Sequence, residues 1–556
     1  MSSTRCSKCN REIDESVWRQ NEKVCPFCDW HFPLTARERI ALLTDAGKFW
    51  EFDKRLSAAD PLHFEVGGRY RERLREAERR TGSPEAATTG EALLEGRRVV
   101  LVCIDFEFMG GTMGSAVGEK VVRAFDRAMR KRLPVITVLA SGGARVQEGM
   151  LALMQMAKTT GAVARHKHEG LLFISVLTNP SFGGTMASFA SLGDVLIAEP
   201  GAEIGFAGAR VVEGTIAEKI PQEARRAETL LEHGLIDLVV HRLKLKSRLS
   251  LLLAFLRRNS SVKLPAVRPR SPVQRSASPA EVLGLARHPQ RPRARDYIER
   301  LFTEFLELHG DRSYRDDPAV IGGLAAFHGL PVLVVAQQGG AMPFPEGYRK
   351  AQRLLRLASK FRLTVISFVD TPGAHPGLEA EYRGIPMAIA ESLAILSTLE
   401  VPILNIVIGE GGSGGALALG IADVILMQEN AIYSVISPEG AAAILHQDPA
   451  RSPEIVSALK LQAQDLLELG VIDDIVAEPA GGAHLDPGGA ADALAERMLY
   501  HLRHISEFKP KKLVAQRLER FRSIGKFEKG WMRIVRNMLD RLRHPLANPT
   551  LPRARS

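Results

Sequence analysis

Four glycine-rich turns and four cysteines are the residues of this chain whose types and spacing could do chemistry. The turns are Ser141-Gly-Gly-Ala-Arg145, Ser181-Phe-Gly-Gly-Thr185, Thr371-Pro-Gly-Ala-His-Pro-Gly377 and Gly409-Glu-Gly-Gly-Ser-Gly-Gly415. Each follows an apolar run and precedes a helical pattern. A helix that starts there leaves backbone N–H groups free at its N-terminus, and such groups favour an anion or an oxygen that becomes one. Glycine has no Cβ, so it permits close backbone approach and positive φ. Two turns together could supply a two-donor oxyanion hole. The plainer reading is that these glycines serve tight turns and close helix packing. The cysteines form Cys6-x2-Cys9-x15-Cys25-x2-Cys28. Two such knuckles can give four thiolates to a tetrahedral Zn²⁺, a closed structural site with no open position for substrate. Cys103 stands in an apolar strand and reads as a small core residue.

The elements that must position these turns occur twice. Gly90-Glu-Ala-Leu-Leu-Glu-Gly96 matches Gly323-Leu-Ala-Ala-Phe-His-Gly329 at an offset of 233. The run from Leu133 to Ala144 matches that from Leu363 to Ala374 at 230, and Asp194-Val195 matches Asp423-Val424 at 229. So long a period implies duplicated domains rather than a solenoid. Residues 135–139, 173–177, 403–408 and 424–427 are short apolar runs of the kind covered on both faces in α/β folds. Val121, Val122, Phe125 and Met129 mark one helical face, and Tyr348, Ala351, Leu355 and Ala358 mark its counterpart.

A rival chemistry is present in Gly411-Gly-Ser413-Gly-Gly415, which matches the Gly-x-Ser-x-Gly elbow of serine hydrolases. Asp473 or Asp474 with His484 would then complete a triad. The repeat sets Ser413 opposite Gly184, Gly183 or Phe182, none of them a nucleophile, which favours a backbone role for the turn.

The 556 residues carry a net charge of +10, with 25% charged residues. The length suggests three or four units. Neither an apolar run long enough for a membrane span nor a signal peptide is seen, which points to the cytoplasm. The charge is unevenly placed: +13 in residues 242–295, +11 in residues 501–556 and −14 elsewhere. The segment from Lys263 to Pro279 is rich in Pro, Ser and Arg and reads as a flexible linker. In the tail, Leu513, Val514, Leu518 and Phe521 recur at helical spacing, as do Ile534, Met538 and Leu539. It reads as basic amphipathic helix ending in a disordered stub, an appendage whose removal leaves folding intact. A zinc ribbon with basic segments could also be a nucleic-acid module, recognised by steep salt dependence.

The motifs resemble the carboxyltransferase component of bacterial acetyl-coenzyme A carboxylase, with β and α subunits fused in that order. The β-like part carries Phe108-Met-Gly-Gly-Thr-Met-Gly-Ser115, Ala140-Ser-Gly-Gly-Ala-Arg145, Leu153-Met-Gln-Met-Ala-Lys158 and Gly205-Phe-Ala-Gly208. The α-like part carries Ala286-Arg-His-Pro-Gln-Arg-Pro292, Pro345-Glu-Gly-Tyr-Arg-Lys350, Asp370-Thr-Pro-Gly-Ala374 and Ser437-Pro-Glu-Gly440. The resemblance implies two crotonase-like α/β domains in tandem behind a zinc ribbon. The expected boundaries are a ribbon at 1–35, a β-like half at 36–245, a basic linker at 246–284, an α-like half at 285–500 and a basic helical tail at 501–556. It further implies carboxyl transfer from carboxybiotin, held on a separate biotin carboxyl carrier protein, to acetyl-CoA, giving malonyl-CoA for fatty acid synthesis. Biotin carboxylase is an expected partner, and a dimer of fused chains the expected assembly. Gly142, Gly143, Gly183 and Gly184 would hold the thioester oxygen, and Gly373, Ala374, Gly414 and Gly415 the ureido oxygen of biotin. Arg145 would orient CoA or pair with a carboxylate. The chain departs from the family pattern in a shorter loop before Pro345, in Ile385-Pro-Met387, and in lacking most of the α part's N-terminal helices.

Overall fold

The computed structural model describes residues 3–216, 220–257, 262–267 and 277–525. The duplication read from the sequence is present as two sheets of the same design. The first contains β1 (Phe49–Phe52), β2 (Ala87–Leu94), β3 (Arg97–Ile104), β4 (Val135–Ser141), β5 (Phe173–Phe182), β6 (Val195–Ala198) and β7 (Leu238–Val239). These lie side by side in chain order. The second repeats the plan with β8 (Thr303–Glu307), β9 (Val320–Phe327), β10 (Leu330–Gln337), β11 (Thr364–Thr371), β12 (Ile403–Gly412), β13 (Val424–Gln428) and β14 (Asp474–Val476). In each sheet the first three strands are antiparallel and the rest run parallel. A short extra strand, Ile204–Gly205 or Ile432–Ser434, pairs with the end of β5 or β12.

Helices cover the sheets. α1 (Ser115–Lys131) and α2 (Gly149–His168) serve the first half. The strands between them are buried on both faces, as their unbroken apolar runs require. α3 (Arg242–Phe255) corrects the expected boundary at 245, which falls inside it. Its Leu245, Leu249, Leu252 and Leu253 recur at helical spacing and enter one core with Leu101 and Ile136 of the first half and Leu333 and Leu354 of the second. The basic residues between those leucines, Lys246 and Arg248, are half-buried, and Lys246 pairs with Asp45 at 3.1 Å, so the charge count there concealed a core helix. Lys360 pairs with Asp194 at 2.6 Å and Arg353 with Asp237 at 2.7 Å across the halves. The expected linker residues 258–261 and 268–276 lie outside the described residues.

In the second half, α4 (Pro345–Phe361) and α5 (Ile385–Thr398) occupy the places of α1 and of a second layer. The tail expectation is also corrected. A helix runs from Pro487 to Ile505 across the expected boundary at 500, with Leu502 and Ile505 buried. α6 (Pro510–Ser523) buries Leu513 and Arg517. Arg517 donates to both Asp423 carboxylate oxygens at 2.9 Å and to the carbonyls of Leu396, Leu399 and Val401. These residues close the second half and are no detachable appendage. Ile534, Met538 and Leu539 lie outside the described residues. Among the described residues, no helix is long and apolar enough to cross a membrane.

The N-terminal ribbon pairs Ser3–Arg5 with Glu12–Asp14. It is held to the first half by Arg242, whose guanidinium donates to the carbonyls of Glu22 and Phe32 and to Glu199.

Candidate active site

Each pair of glycine turns forms where two parallel strands end together. In the first half, β4 runs into the turn at Ser141 and β5 into a short helix, Gly183–Met186. In the second, β11 and β12 do the same, and the short helix is Ser413–Leu417. Ser141 pairs in register with Ser181, and Thr371 with Gly411. A Cβ on Gly183, whose φ is +65°, would lie 2.8 Å from the Gly143 Cα. A Cβ on Gly415 would lie 2.2 Å from the Ala374 nitrogen. The two backbones touch in both halves, so glycine is required at these crossings.

The hydrogen bonds decide which N–H groups remain for a ligand. Gly142 donates to the Gly110 carbonyl at 2.8 Å and Gly183 to the Phe206 carbonyl at 2.9 Å. Gly143 donates to the Ser141 hydroxyl at 3.1 Å. Three of the four N–H groups expected from sequence in this half are therefore engaged within the protein. Those of Gly184 and Ala144 have no hydrogen bond among the described residues. The second half shows the same arrangement 230 residues later. Gly373 donates to the Thr371 hydroxyl at 3.2 Å, whereas the N–H groups of Ala374, Gly414 and Gly415 have no bonded partner among the described residues. Ala144 was missed because nothing marks an alanine as a donor. The signal was available in its repeat partner, Ala374.

Arg145 does not fit a substrate contact. Its side chain is 0% exposed. It donates two parallel bonds to Glu85, at 2.6 and 2.9 Å, and others to the Tyr70 hydroxyl and the Thr112 carbonyl. Burial pulls its pKa down, but the Glu85 bonds more than offset this and hold it above the ordinary arginine value. Tyr70 donates on to Glu148 at 2.7 Å, and Glu148 accepts from the Ser115 N–H at the start of α1. Burial keeps the Tyr70 phenol neutral by pushing its pKa up. The second of the two roles expected for Arg145, pairing with a carboxylate, is the one its surroundings match.

The second-half turns are held by both charged and uncharged groups: Arg287 pairs with Glu410 at 2.6 Å. The Gly415 carbonyl accepts from Gln337 at 2.7 Å and from the Tyr348 hydroxyl at 3.1 Å. His375, in the place of Arg145, stacks on Phe344 with ring centres 4.1 Å apart. Asp370 lies below the turn, accepts from the Glu410 N–H and pairs with Arg293 at 3.2 Å; burial raises its pKa.

Ser413 occupies the position of Gly183, with φ of +57° against +65°. No triad forms around it among the described residues. Asp473 accepts from the Ile425 N–H at the start of β13, whereas Ser413 follows the end of the parallel neighbour β12. Asp474 is held by Arg497 and His501, and His484 stacks on His288.

Cys6, Cys9, Cys25 and Cys28 converge, with all four sulfurs within 4.8 Å of one another. The Cys6–Cys28 and Cys9–Cys25 sulfurs are 3.7 and 3.8 Å apart. This set could hold a metal ion.

A family model described as acetyl co-enzyme A carboxylase carboxyltransferase-like matches residues 266–525. The acetyl-coenzyme A carboxylase carboxyl transferase subunits beta/alpha of Parafrankia sp. is 45% identical, over 94% of this chain and 91% of its own length. That of Saccharopolyspora erythraea is 44% identical, over 94% of each. This chain belongs to the acetyl-coenzyme A carboxylase carboxyl transferase family. Among solved structures, a transcarboxylase 12S with methylmalonyl-coenzyme A and methylmalonic acid bound superposes with a TM-score of 0.68. It covers 84% of this carboxyl transferase chain and 90% of its own at 23% identity, a likeness of fold. The tandem crotonase-like architecture of the carboxyl transferase is thereby established, with both glycine-turn pairs at strand ends of its two sheets.

Proposed function

We propose that this chain transfers the carboxyl group of carboxybiotin, presented on a biotin carboxyl carrier protein, to acetyl-CoA, giving malonyl-CoA. The observation that carries the reading is the doubled pair of free backbone donors, Ala144 with Gly184 and Ala374 with Gly414. The reaction creates two oxyanions. Biotin supplies the carboxyl group from its ring nitrogen and, once relieved of it, can take up a proton. Ala374 and Gly414 stabilise the ureido oxygen as it gains charge, with Gly415 beside them. Ala144 and Gly184 stabilise the thioester oxygen as the acetyl methyl group loses its proton. The carbon so activated forms the new C–C bond to CO₂. Fixed backbone dipoles in a site shielded from water need no reorganisation as charge develops. No side-chain acid or base is required on the thioester if the proton goes to biotin.

Zn²⁺ fits the cysteine set. A tetrahedron with Zn–S of about 2.3 Å has edges of about 3.8 Å, close to the sulfur separations found. A closed four-thiolate site is structural, and reduced thiolates agree with the cytoplasm. Biotin carboxylase would reload the carrier. Exposed apolar residues beside each turn support pairing with a second copy: Val146 and Met150 on one side, Tyr382 (81% exposed) and Met387 (71%) on the other.

The test is malonyl-CoA formation from acetyl-CoA and carboxylated carrier protein by the zinc-loaded chain. Product formation supports the reading. A folded, zinc-loaded sample that forms none overturns it.

A further inference from the structure

A cavity lies at the opposite end of the first sheet from the glycine turns. It has a volume of about 710 Å³ and is built from both halves and the helix that joins them. Its floor includes Leu133, Leu171, Leu253 and Phe361, and its walls carry Arg97, Arg98, Arg132, Arg257 and Arg362. β4 starts beside it at Val135 and ends at the Ser141 turn. Seven residues of strand at about 3.3 Å each put the two sites about 20 Å apart.

The charges here are out of balance. Elsewhere in the fold, basic side chains close by are paired, Lys360 with Asp194 and Arg127 with Glu91. In the cavity wall, Arg98 pairs with Glu91 and Arg132 with Glu169. Arg97 donates only to the Ser250 hydroxyl. The side chains of Arg257 and Arg362 have no hydrogen bond or ion pair among the described residues. Arg132 and Arg362 are repeat partners, 230 apart, and both cap a helix C-terminus in the left-handed region. A cation is favourable at a helix C-terminus, which accounts for their presence there but leaves the Arg362 donors unspent. Three exposed guanidinium groups without a carboxylate give this cavity a positive potential, screened by solvent, that an anion would neutralise.

We propose that this cavity binds a small polyphosphate at a site separate from the catalytic turns. The guanidinium fork matches phosphate oxygens two at a time, and more than one charge is needed to answer three arginines. Because the walls come from both halves and α3, an occupant would tie the halves together.

The test titrates inorganic tripolyphosphate and, separately, ATP without Mg²⁺ into the full chain at fixed ionic strength by calorimetry. Both should bind, and saturating acetyl-CoA should leave the affinity unchanged. The Arg257→Ala/Arg362→Asn double variant should bind at least tenfold more weakly, with an unchanged melting temperature, since neither side chain holds the fold. Arg257→Glu alone should weaken binding further than Arg257→Ala. ATP binding without tripolyphosphate binding would transfer recognition to the nucleoside and overturn the proposal. So would displacement by acetyl-CoA, or wild-type affinity in the double variant.

Discussion

The two turn pairs share a backbone but not a scaffold. Ala144 with Gly184, and Ala374 with Gly414, stand at equivalent positions and present the same unbonded N–H groups. Behind the first pair is a buried ion cluster, Arg145–Glu85 with Tyr70 and Glu148. Behind the second, the Gly415 carbonyl takes neutral donors, Gln337 and Tyr348, and the ion pairs Arg293–Asp370 and Arg287–Glu410 sit at the strand ends. One backbone geometry is thus reached through two kinds of support. The buried Arg145 cluster should fail abruptly when a partner is removed, and the neutral bonds to the Gly415 carbonyl by degrees.

The largest effect is expected where backbones collide. Gly415→Ala puts a methyl group 2.2 Å from the Ala374 nitrogen. It should cut kcat by about 10²–10³, the range for losing an oxyanion donor, measured as malonyl-CoA formation. Next is Glu85→Ala, which removes the bidentate partner of the buried Arg145 and leaves it only the more distant Glu148 carboxylate at 3.6 Å. Denaturant melts should show a loss of about 3–5 kcal/mol, and Arg145→Met combined with Glu85→Leu should recover much of it. Gln337→Leu in the other half should cost only about 1 kcal/mol, one neutral hydrogen bond, with a modest fall in kcat. If Gln337→Leu proves as damaging as Glu85→Ala, the contrast between the scaffolds is wrong. The smallest effect should be that of Ser413→Gly. It replaces a left-handed serine by the residue its repeat partner Gly183 already is, so activity should persist and stability change by no more than about 1 kcal/mol. A serine nucleophile would instead be abolished.

Much of the candidate site's backbone layout was legible because its markers are local. Glycines at strand ends, a Cys-x-x-Cys pair and a 230-residue repeat all survive as patterns in one dimension. What was not legible depended on pairings distant in sequence. Arg517 was counted as solvated tail charge, yet its partner Asp423 is 94 residues away and makes it part of the second half. The leucines of α3 were present at helical spacing, but the flanking lysines and arginines made the segment look like a linker. Glycine marks the turn in the sequence but does not tell which N–H is spent. The N–H groups of Gly142, Gly143 and Gly183 are bonded within the protein, and the unbonded N–H beside that of Gly184 belongs to Ala144, a residue with no local signature.

The central claim is that backbone N–H groups, and no side chain, stabilise both oxyanions. Proline removes an N–H and is tolerated in the first turn of a helix, where no intrahelical bond is lost. Gly414 is the cleanest position, since a Cβ there meets nothing closer than Ile389 at 3.9 Å. The decisive measurement is the rate of malonyl-CoA formation by Gly414→Pro, with Gly184→Pro as its counterpart, alongside the melting temperature. The account predicts rates lower by about 10²–10³ in each with the melting temperature held. A full rate in a folded Gly414→Pro variant would contradict it.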